Sequence, residues 1–345
     1  MGVDLRVLLT PMAIPLESLS RRAVAIDAYN AVYQFLAIIR QPDGTPLRDA
    51  RGRVTSHLSG LFYRNVNFLE ANIKPIYVFD GKPPELKAAE VERRVRVKAK
   101  AEAEYRSALA RGDVEGARKH AQATSRLTAE MVGQAKALLD ALGIPWIQAP
   151  SEGEAQAAFM VRKGDAWASV SQDYDSLLFG TPRLVRNLTI SGRRKLPNKP
   201  VYIDIEPEIV KLDDALSSLG VTRDQLIDIG ILLGTDFNPD GFRGVGPKKA
   251  LKLIKECGSL EGALERGAVE AVSGEGIDYA SIREIFLRPT VTDDYHLAWR
   301  GVDREGALAI LCDEFDFSRE RVEGALQRIE KAKARGQSNL EKWFG

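Results

Sequence analysis

Cysteine and histidine are scarce: the 345 residues hold two of the first and three of the second. Cys257 and Cys312 lie far apart with no metal-ligand spacing, which argues against both a disulfide framework and a zinc site; two buried free thiols are the expectation. Long apolar runs are missing as well, since nothing approaches the roughly 20 residues that span a bilayer. The opening "MGVDLRVLLTPMAIPLESLSRR" is too acidic and too proline-broken for a signal peptide. A protein that stays inside the cell, with no membrane partner, is expected. Nor is there an excess of one charge: 49 Lys and Arg stand against 48 Asp and Glu. Taken alone, that balance argues against nucleic acid.

What the chain does have is 44% hydrophobic and 28% charged side chains, enough for one large core or two modest ones in a soluble globular protein. The charge is also unevenly placed. From Lys82 to Lys136 there are 13 Lys and Arg against 8 Asp and Glu, leaving 36 against 40 elsewhere. A basic helical run is usually a solvated face, so it gains meaning only beside a matching site.

Short β-branched runs alternate with longer helical patterns. "RAVAIDAY", "KPIYVFDG", "GIPWIQAP", "DAWASVSQDYD", "PRLVRNLTI" and "KPVYIDI" read as strands, and the alternation predicts an α/β fold with a largely parallel sheet and helices on both faces. "SHLSGLFYRNVNFLEAN" places Leu58, Leu61, Phe62, Val66 and Leu69 at helical spacing, with Ser56 as its cap. After about Pro207 strand signals stop and a helical region follows. Residues 83–128 break the alternation: rich in Ala, Glu, Lys and Arg but poor in large apolar residues, they read as inserted, exposed helices, "RVRVK" (Arg94 to Lys98) included.

In an open α/β sheet the ligand site lies beyond the carboxyl ends of the strands. Acids stand there repeatedly: Asp27 in "VAIDA", Asp80 in "YVFDG", Glu152 and Glu154 in "APSEGEA", and Asp173 and Asp175 in "SVSQDYDS". Asp236, in "LLGTDFNPDG", follows an apolar helix. Any one of them is an ordinary cap or turn residue. Six or seven aimed at one edge repel each other and stay ionised only with cations among them. Oxygen ligands without His or Cys point to Mg²⁺ or Mn²⁺, and a pair of such ions suits phosphodiester hydrolysis.

Lys87 and Arg94, seven apart on an expected helix, place two cations just beyond Asp80, where a scissile phosphate needs its charge offset. "FRGVGPKKALKLI" reads as a helix-hairpin-helix. Gly244 and Gly246 let the backbone approach a phosphate, and Lys248 and Lys249 add charge, a frame suited to DNA without sequence preference.

Together these motifs, with "VAIDAYNAVYQFL", "TSHLSGLFYRNVNFLEANIKPIYVFDGKPPELK" and the closing "QSNLEKWF", resemble the flap endonucleases, structure-specific 5′-nucleases of DNA replication and repair, over nearly the full length. The resemblance implies a PIN-like 5′-nuclease core within a nuclease domain over 1–335. It further implies an inserted helical arch over 83–128, a helical region over 215–335 with the helix-hairpin-helix near 241–254, and a flexible tail over 336–345. Asp27, Asp80, Glu152 and Glu154 would surround one Mg²⁺, and Asp173, Asp175 and Asp236 a second, with Mn²⁺ as a substitute. Lys87 and Arg94 match the cations at the foot of the arch that a 5′ single strand passes, and Tyr33 matches the aromatic on which the base beside the cut stacks. Gly2 matches an N-terminal glycine near the bend in the DNA, and Thr55 a residue of the pocket for a one-nucleotide 3′ flap. The hairpin of Gly244 and Gly246 would grip the downstream duplex with a bound K⁺.

After Gly2, "VDLRVLLTPM" keeps only a loose version of the family's opening. Gln337, Leu340, Trp343 and Phe344 match the motif that plugs a sliding clamp (PCNA). No lysine-rich extension follows, so an archaeal, cytoplasmic, DNA-associated monomer is expected. The expected activity is removal of 5′ flaps from branched DNA, with 5′-3′ exonuclease activity. Rival readings are a superfamily relative that cuts bubbles or four-way junctions and a clamp-associated, non-catalytic DNA-binding scaffold, to which the complete carboxylate set would be a needless cost. A strand-Asp phosphatase would need an Asp-x-Asp that "DAY" lacks.

Overall fold

The structure, a computed structural model, describes residues 2–41, 44–113, 116, 127–190, 192–195, 202–269 and 278–344. Among them are nine strands: β1 (Met12–Ala13), β2 (Ala23–Asp27), β3 (Lys74–Phe79), β4 (Trp146–Gln148), β5 (Ala168–Val170), β6 (Arg183–Arg186), β7 (Gly192–Lys195), β8 (Tyr202–Ile205) and β9 (Glu208–Lys211). Seven form one sheet in the order β1-β9-β6-β5-β2-β3-β4. Its central run is parallel, β2 lying between β3 and β5 with β4 and β6 outside them.

Alternation along the central strands sorts their side chains into two layers, as period 2 requires. Val24, Ile26, Tyr77 and Phe79 face the Ser56–Glu70 and Ala129–Ala141 helices and the start of the final helix, where Leu58, Phe62, Leu138, Val322 and Leu326 complete a core. Ala25, Ile76, Val78 and Ile147 face the Gly153–Lys163 helix through Ala157, Met160 and Val161. The expected sheet with helices on both faces is therefore present. A third apolar cluster joins Leu177, Leu178 and Phe179 to the helices that follow β9, through Leu226, Ile231, Ile254 and Phe286. This cluster holds the helical region against the carboxyl edge of the sheet.

Several local expectations are corrected. Strand structure does not stop at Pro207: "EIVK" forms β9, antiparallel to β6, and β1 adds antiparallel to β9. A four-residue strand near a sheet edge carries too few alternating positions to stand out. "KPVYIDI" supplies β8, which pairs only with β7 in a separate two-stranded sheet. Ser56 is the first residue of its helix and Thr55 the cap residue. The Ser56 hydroxyl instead donates to the Ile39 carbonyl at 2.6 Å and accepts from the Leu47 N–H at 2.9 Å. Within that helix Phe68, not Leu69, is fully buried.

The insertion leaves β3 through a short 3-10 turn, Glu85–Lys87, and becomes the Ala88–Ala110 helix. Its Val91, Val95 and Val97 are exposed, as expected of a helix with no core to cover. Of the rest of the proposed arch, residues 114–115 and 117–126 lie outside the described residues. The last helix runs Arg319–Phe344, through Gly336, where the sequence predicts a linker. Side chains from 335 onward, those of Gln337, Leu340, Trp343 and Phe344 included, lie outside the described residues.

Candidate active site

Parallel pairing of β5, β2, β3 and β4 brings their carboxyl ends to one edge, and each delivers acid there. Asp27 closes β2, and its Oδ1 accepts from the Asn30 N–H at 2.9 Å, so one carboxylate both caps the next helix and faces the site. Asp80 follows β3 and accepts from the Gly153 N–H at 2.6 Å. Glu152 occupies the cap position of the Gly153–Lys163 helix without making a cap bond, and Glu154 lies in its first turn. Asp175 opens the turn after β5 and accepts from the Val3 N–H at 2.7 Å. Asp236 arrives from the other side, after the Arg223–Leu233 helix.

The basic insertion meets this edge directly. Lys87 Nζ lies 2.5 Å from Glu152 and 3.1 Å from Asp236, and Arg94 donates to Asp236 at 2.6 Å. Lys87 sits in the 3-10 turn before the helix that carries Arg94, so the two do not share a helix face, yet both reach the same carboxylate.

Burial governs the charge state of the edge. It pushes Asp175 up to about 7, helped by the charges of Asp236 and Asp173, and Asp80 up to about 6, helped by Glu152. Asp27 and Glu154 are held well above the usual carboxylate range, by burial first and then by Asp80 and Asp175 respectively. At Asp236 burial is outweighed by Lys87 and Arg94, which keep it ionised. Burial opposes the Lys87 charge, but Glu152 and Asp236 outweigh it and hold the ammonium protonated. After burial, the neighbouring charges that raise Glu154 are Asp175, then Asp27 and Asp173, drawn from both expected ligand groups.

Carboxylates that must protonate or pair with side-chain cations are those a bound cation would stabilise. The donors are all oxygen, which fits a hard divalent ion. Among the described residues no group of three or more His, Cys, Asp or Glu is arranged as it stands to hold an ion. The Lys87 and Arg94 pairs take up Glu152 Oε2 and both Asp236 oxygens.

Two residues, Asn30 and Glu90, add to the site what the motifs did not show. Asn30 ties β2 to β5: its N–H goes to Asp27, its side-chain amide donates to Asp173 at 3.2 Å, and its Oδ1 accepts from the Gln172 N–H at 3.3 Å. Glu90, 1% exposed, accepts from Arg93 and Arg94 and aims the latter at Asp236. Their spacings, three after Asp27 and four before Arg94, are helical-neighbour signals present in the sequence. Gly2 packs on the site, where a Cβ would stand 2.6 Å from Asp175 Oδ1 and 2.8 Å from Asp173 Cβ, so no larger residue fits without displacing a carboxylate.

The remaining expected positions lie around this edge. Tyr33 is half-buried on the helix that Asp27 starts. Thr55 is buried, its N–H donating to the Leu47 carbonyl at 2.8 Å. Gly244 has φ +73°, and Gly246 caps the Pro247–Cys257 helix with open space around both. Lys248 and Lys249 are exposed, and Lys249 Nζ donates to the Gly244 carbonyl at 3.2 Å.

Fold and site define a protein of the XPG class, and two family models agree: the XPG N-terminal domain matches residues 1–101 and the XPG I-region residues 143–236. Those spans carry all seven carboxylates. Flap endonuclease 1 of Aeropyrum pernix is 58% identical, the match covering 100% of both chains. The solved flap endonuclease-1 from Methanococcus jannaschii is 42% identical and superposes with a TM-score of 0.76, covering 97% of this chain and 100% of that one. The catalytic core of Rad2 in complex with DNA substrate, 23% identical with a TM-score of 0.68 over 94% of this chain and 96% of that one, shares the fold. The chain belongs to the flap endonuclease family.

Proposed function

We propose that the protein removes 5′ flaps from branched DNA by metal-dependent hydrolysis of one phosphodiester bond, leaving a 5′-phosphate at a ligatable nick. The observation that carries this reading is the junction of insertion and edge: Lys87 and Arg94 reach from the arch foot into a set of seven carboxylates. Bound among those carboxylates, two Mg²⁺ ions, or Mn²⁺, would supply an activated water and offset charge on the leaving oxygen. Glu152 and Asp236 then no longer need the side-chain cations, whose charge becomes available to the scissile phosphate. Tyr33 offers a face for the base beside the cut, and Thr55 lines a pocket for a 3′ nucleotide. The helix-hairpin-helix of Gly244 and Gly246 holds the duplex backbone, with Lys248 and Lys249 beside it and a K⁺ in the loop. DNA shape supplies the specificity, because phosphate contacts carry no sequence.

The deciding experiment is cleavage of end-labelled double-flap, nicked, bubble and four-way substrates in Mg²⁺, with and without chelator. Flap cutting that chelator stops is expected, and Asp80→Ala should abolish it while flap binding persists. Preference for bubbles or junctions would transfer the chain to a different superfamily activity, and cutting by Asp80→Ala at the wild-type rate would remove the two-metal assignment.

The closing "QSNLEKWF" supports tethering to a sliding clamp, which raises the local concentration of enzyme at junctions left by a polymerase. Deleting residues 337–345 should leave cleavage of small flaps intact and eliminate clamp binding. Retained tight binding would assign the terminal aromatics to the fold.

A further inference from the structure

The opposite edge of the sheet, where the parallel strands begin, carries a second ordered array. Arg183 opens β6, Trp167 precedes β5, Arg22 precedes β2 and Lys74 opens β3. These four strands are adjacent, and backbone bonds lock the starts together: the Trp167 N–H donates to the Ala23 carbonyl at 2.7 Å and the Lys74 N–H to the Arg22 carbonyl at 2.9 Å. The side chains interleave. The Arg22 guanidinium lies 3.8 Å and that of Arg183 5.2 Å from the centre of the Trp167 ring. Lys74 Nζ stands 5.4 Å over Trp299, whose Nε1–H donates to the Pro75 carbonyl at 3.0 Å. The result is a row that reads cation, aromatic, cation, cation, aromatic.

Stacking on indole uses the flat face of a guanidinium and leaves its in-plane N–H donors for another partner. Arg183 engages Nε, on the Trp167 carbonyl. Among the described residues neither arginine nor Lys74 has a carboxylate within ion-pair distance, whereas Lys163 pairs with Asp165 at 3.3 Å and Asp293 at 3.0 Å. Like charges on neighbouring strands repel, a cost that neutral residues would avoid if the row only covered the tryptophans. From β6 to β3 are three strand steps, roughly 14 Å at about 4.8 Å each. That matches about four nucleotides along one strand of a duplex at 3.4 Å per nucleotide.

We propose that this row is a track for a nucleic-acid phosphate backbone, on the edge facing away from the carboxylates, and that it holds duplex outside the cleaved junction. It does not depend on what the carboxylate edge cuts. Its rigid mounting on strand ends, and its position within the part of the chain that is acidic overall, distinguish it from the arch.

The test uses the full-length protein in chelator, binding linear duplex DNA without a flap, with affinity measured by fluorescence anisotropy across a salt series. The R22Q/K74Q/R183Q variant should lower the slope of log affinity against log salt by about 2 to 3, at about 0.9 for each phosphate no longer neutralised. Its cleavage of a short flap substrate in Mg²⁺ should stay at the wild-type rate. Should thermal melting show that the triple variant is unfolded, K74E serves instead: it leaves both arginines on Trp167 and should lower the slope by about 1. An unchanged slope overturns the proposal. So does a poly-glutamate peptide that binds wild type but not the variant while the DNA slope is unchanged, which would assign the row to an acidic protein. Failure of flap cleavage in wild type would defeat the proposed activity and leave this measurement intact.

Discussion

Asp175→Asn should make the metal-free protein more stable above neutrality while destroying its activity. Asp175 is 6% exposed, and burial with Asp236 and Asp173 beside it pushes its carboxyl from 3.8 to about 7. A pKa raised on folding means that the stabilising contribution is full below about 4 and is lost as pH rises through about 7. That shift corresponds to a penalty of about 4 kcal/mol at most for the ionised form, and roughly half of it if neighbouring carboxylates share the protons. Asparagine removes the charge yet keeps an oxygen to accept the Val3 N–H bond now made at 2.7 Å. For a chain of 345 residues the gain converts to a Tm increase of roughly 3 to 6 °C. The assay is thermal unfolding of wild type and variant in chelator from pH 4.5 to 8.5. The two curves should converge at the acid end and separate with the variant on top above pH 7. Adding Mg²⁺ should then raise wild type more than the variant, since an ion bound only to the folded state stabilises it. A difference in Tm that is the same at pH 5 and pH 8, or a variant that is the less stable at pH 8, would refute the reading of Asp175 as a buried charge awaiting a cation.

Two further substitutions probe the geometry. Asn30→Ala unties Asp27 from Asp173 and should raise the Mg²⁺ concentration for half-maximal cleavage about 10-fold, measured by metal titration at saturating DNA; loss of rate with an unchanged metal requirement would rule out a positioning role. Arg94→Ala should slow single-turnover cleavage about 100-fold or more with flap-DNA affinity changed far less, and an effect confined to binding would place the residue outside the chemistry.

Much of the site is legible in the sequence because its signals are local. An acid just past a β-branched run is visible in "VAIDA" and "YVFDG", and the oxygen-only donor set follows from residue identity. The amphipathic spacing of Leu58, Leu61, Phe62 and Val66 is equally local, and all four are fully buried. Harder to see are Asn30 and Glu90, whose spacing to Asp27 and Arg94 is plain but whose second partners lie far along the chain. Asn30 reaches Asp173 across 143 positions, and Arg94, held by Glu90, reaches Asp236 across 142. Strand β9 escapes a reading by period because four residues cannot display one. Strand β8 reads as part of the main sheet because the sequence does not say which strand a strand pairs with.

The sequence by itself determined the alternation that builds a layered sheet and the identity of seven acids and two nearby cations. Tertiary structure alone decided that β5, β2, β3 and β4 are neighbours, so that their acids share one edge and raise each other's pKa. It also decided that Lys87 and Arg94 converge on Asp236 from different elements, that Gly2 lies against Asp175, and that Arg22, Lys74 and Arg183 line the far edge. The physical reason is that secondary structure follows from short-range periodicity, whereas charge coupling falls off with distance in space. Distance in space is set by strand order, which only the packed chain possesses.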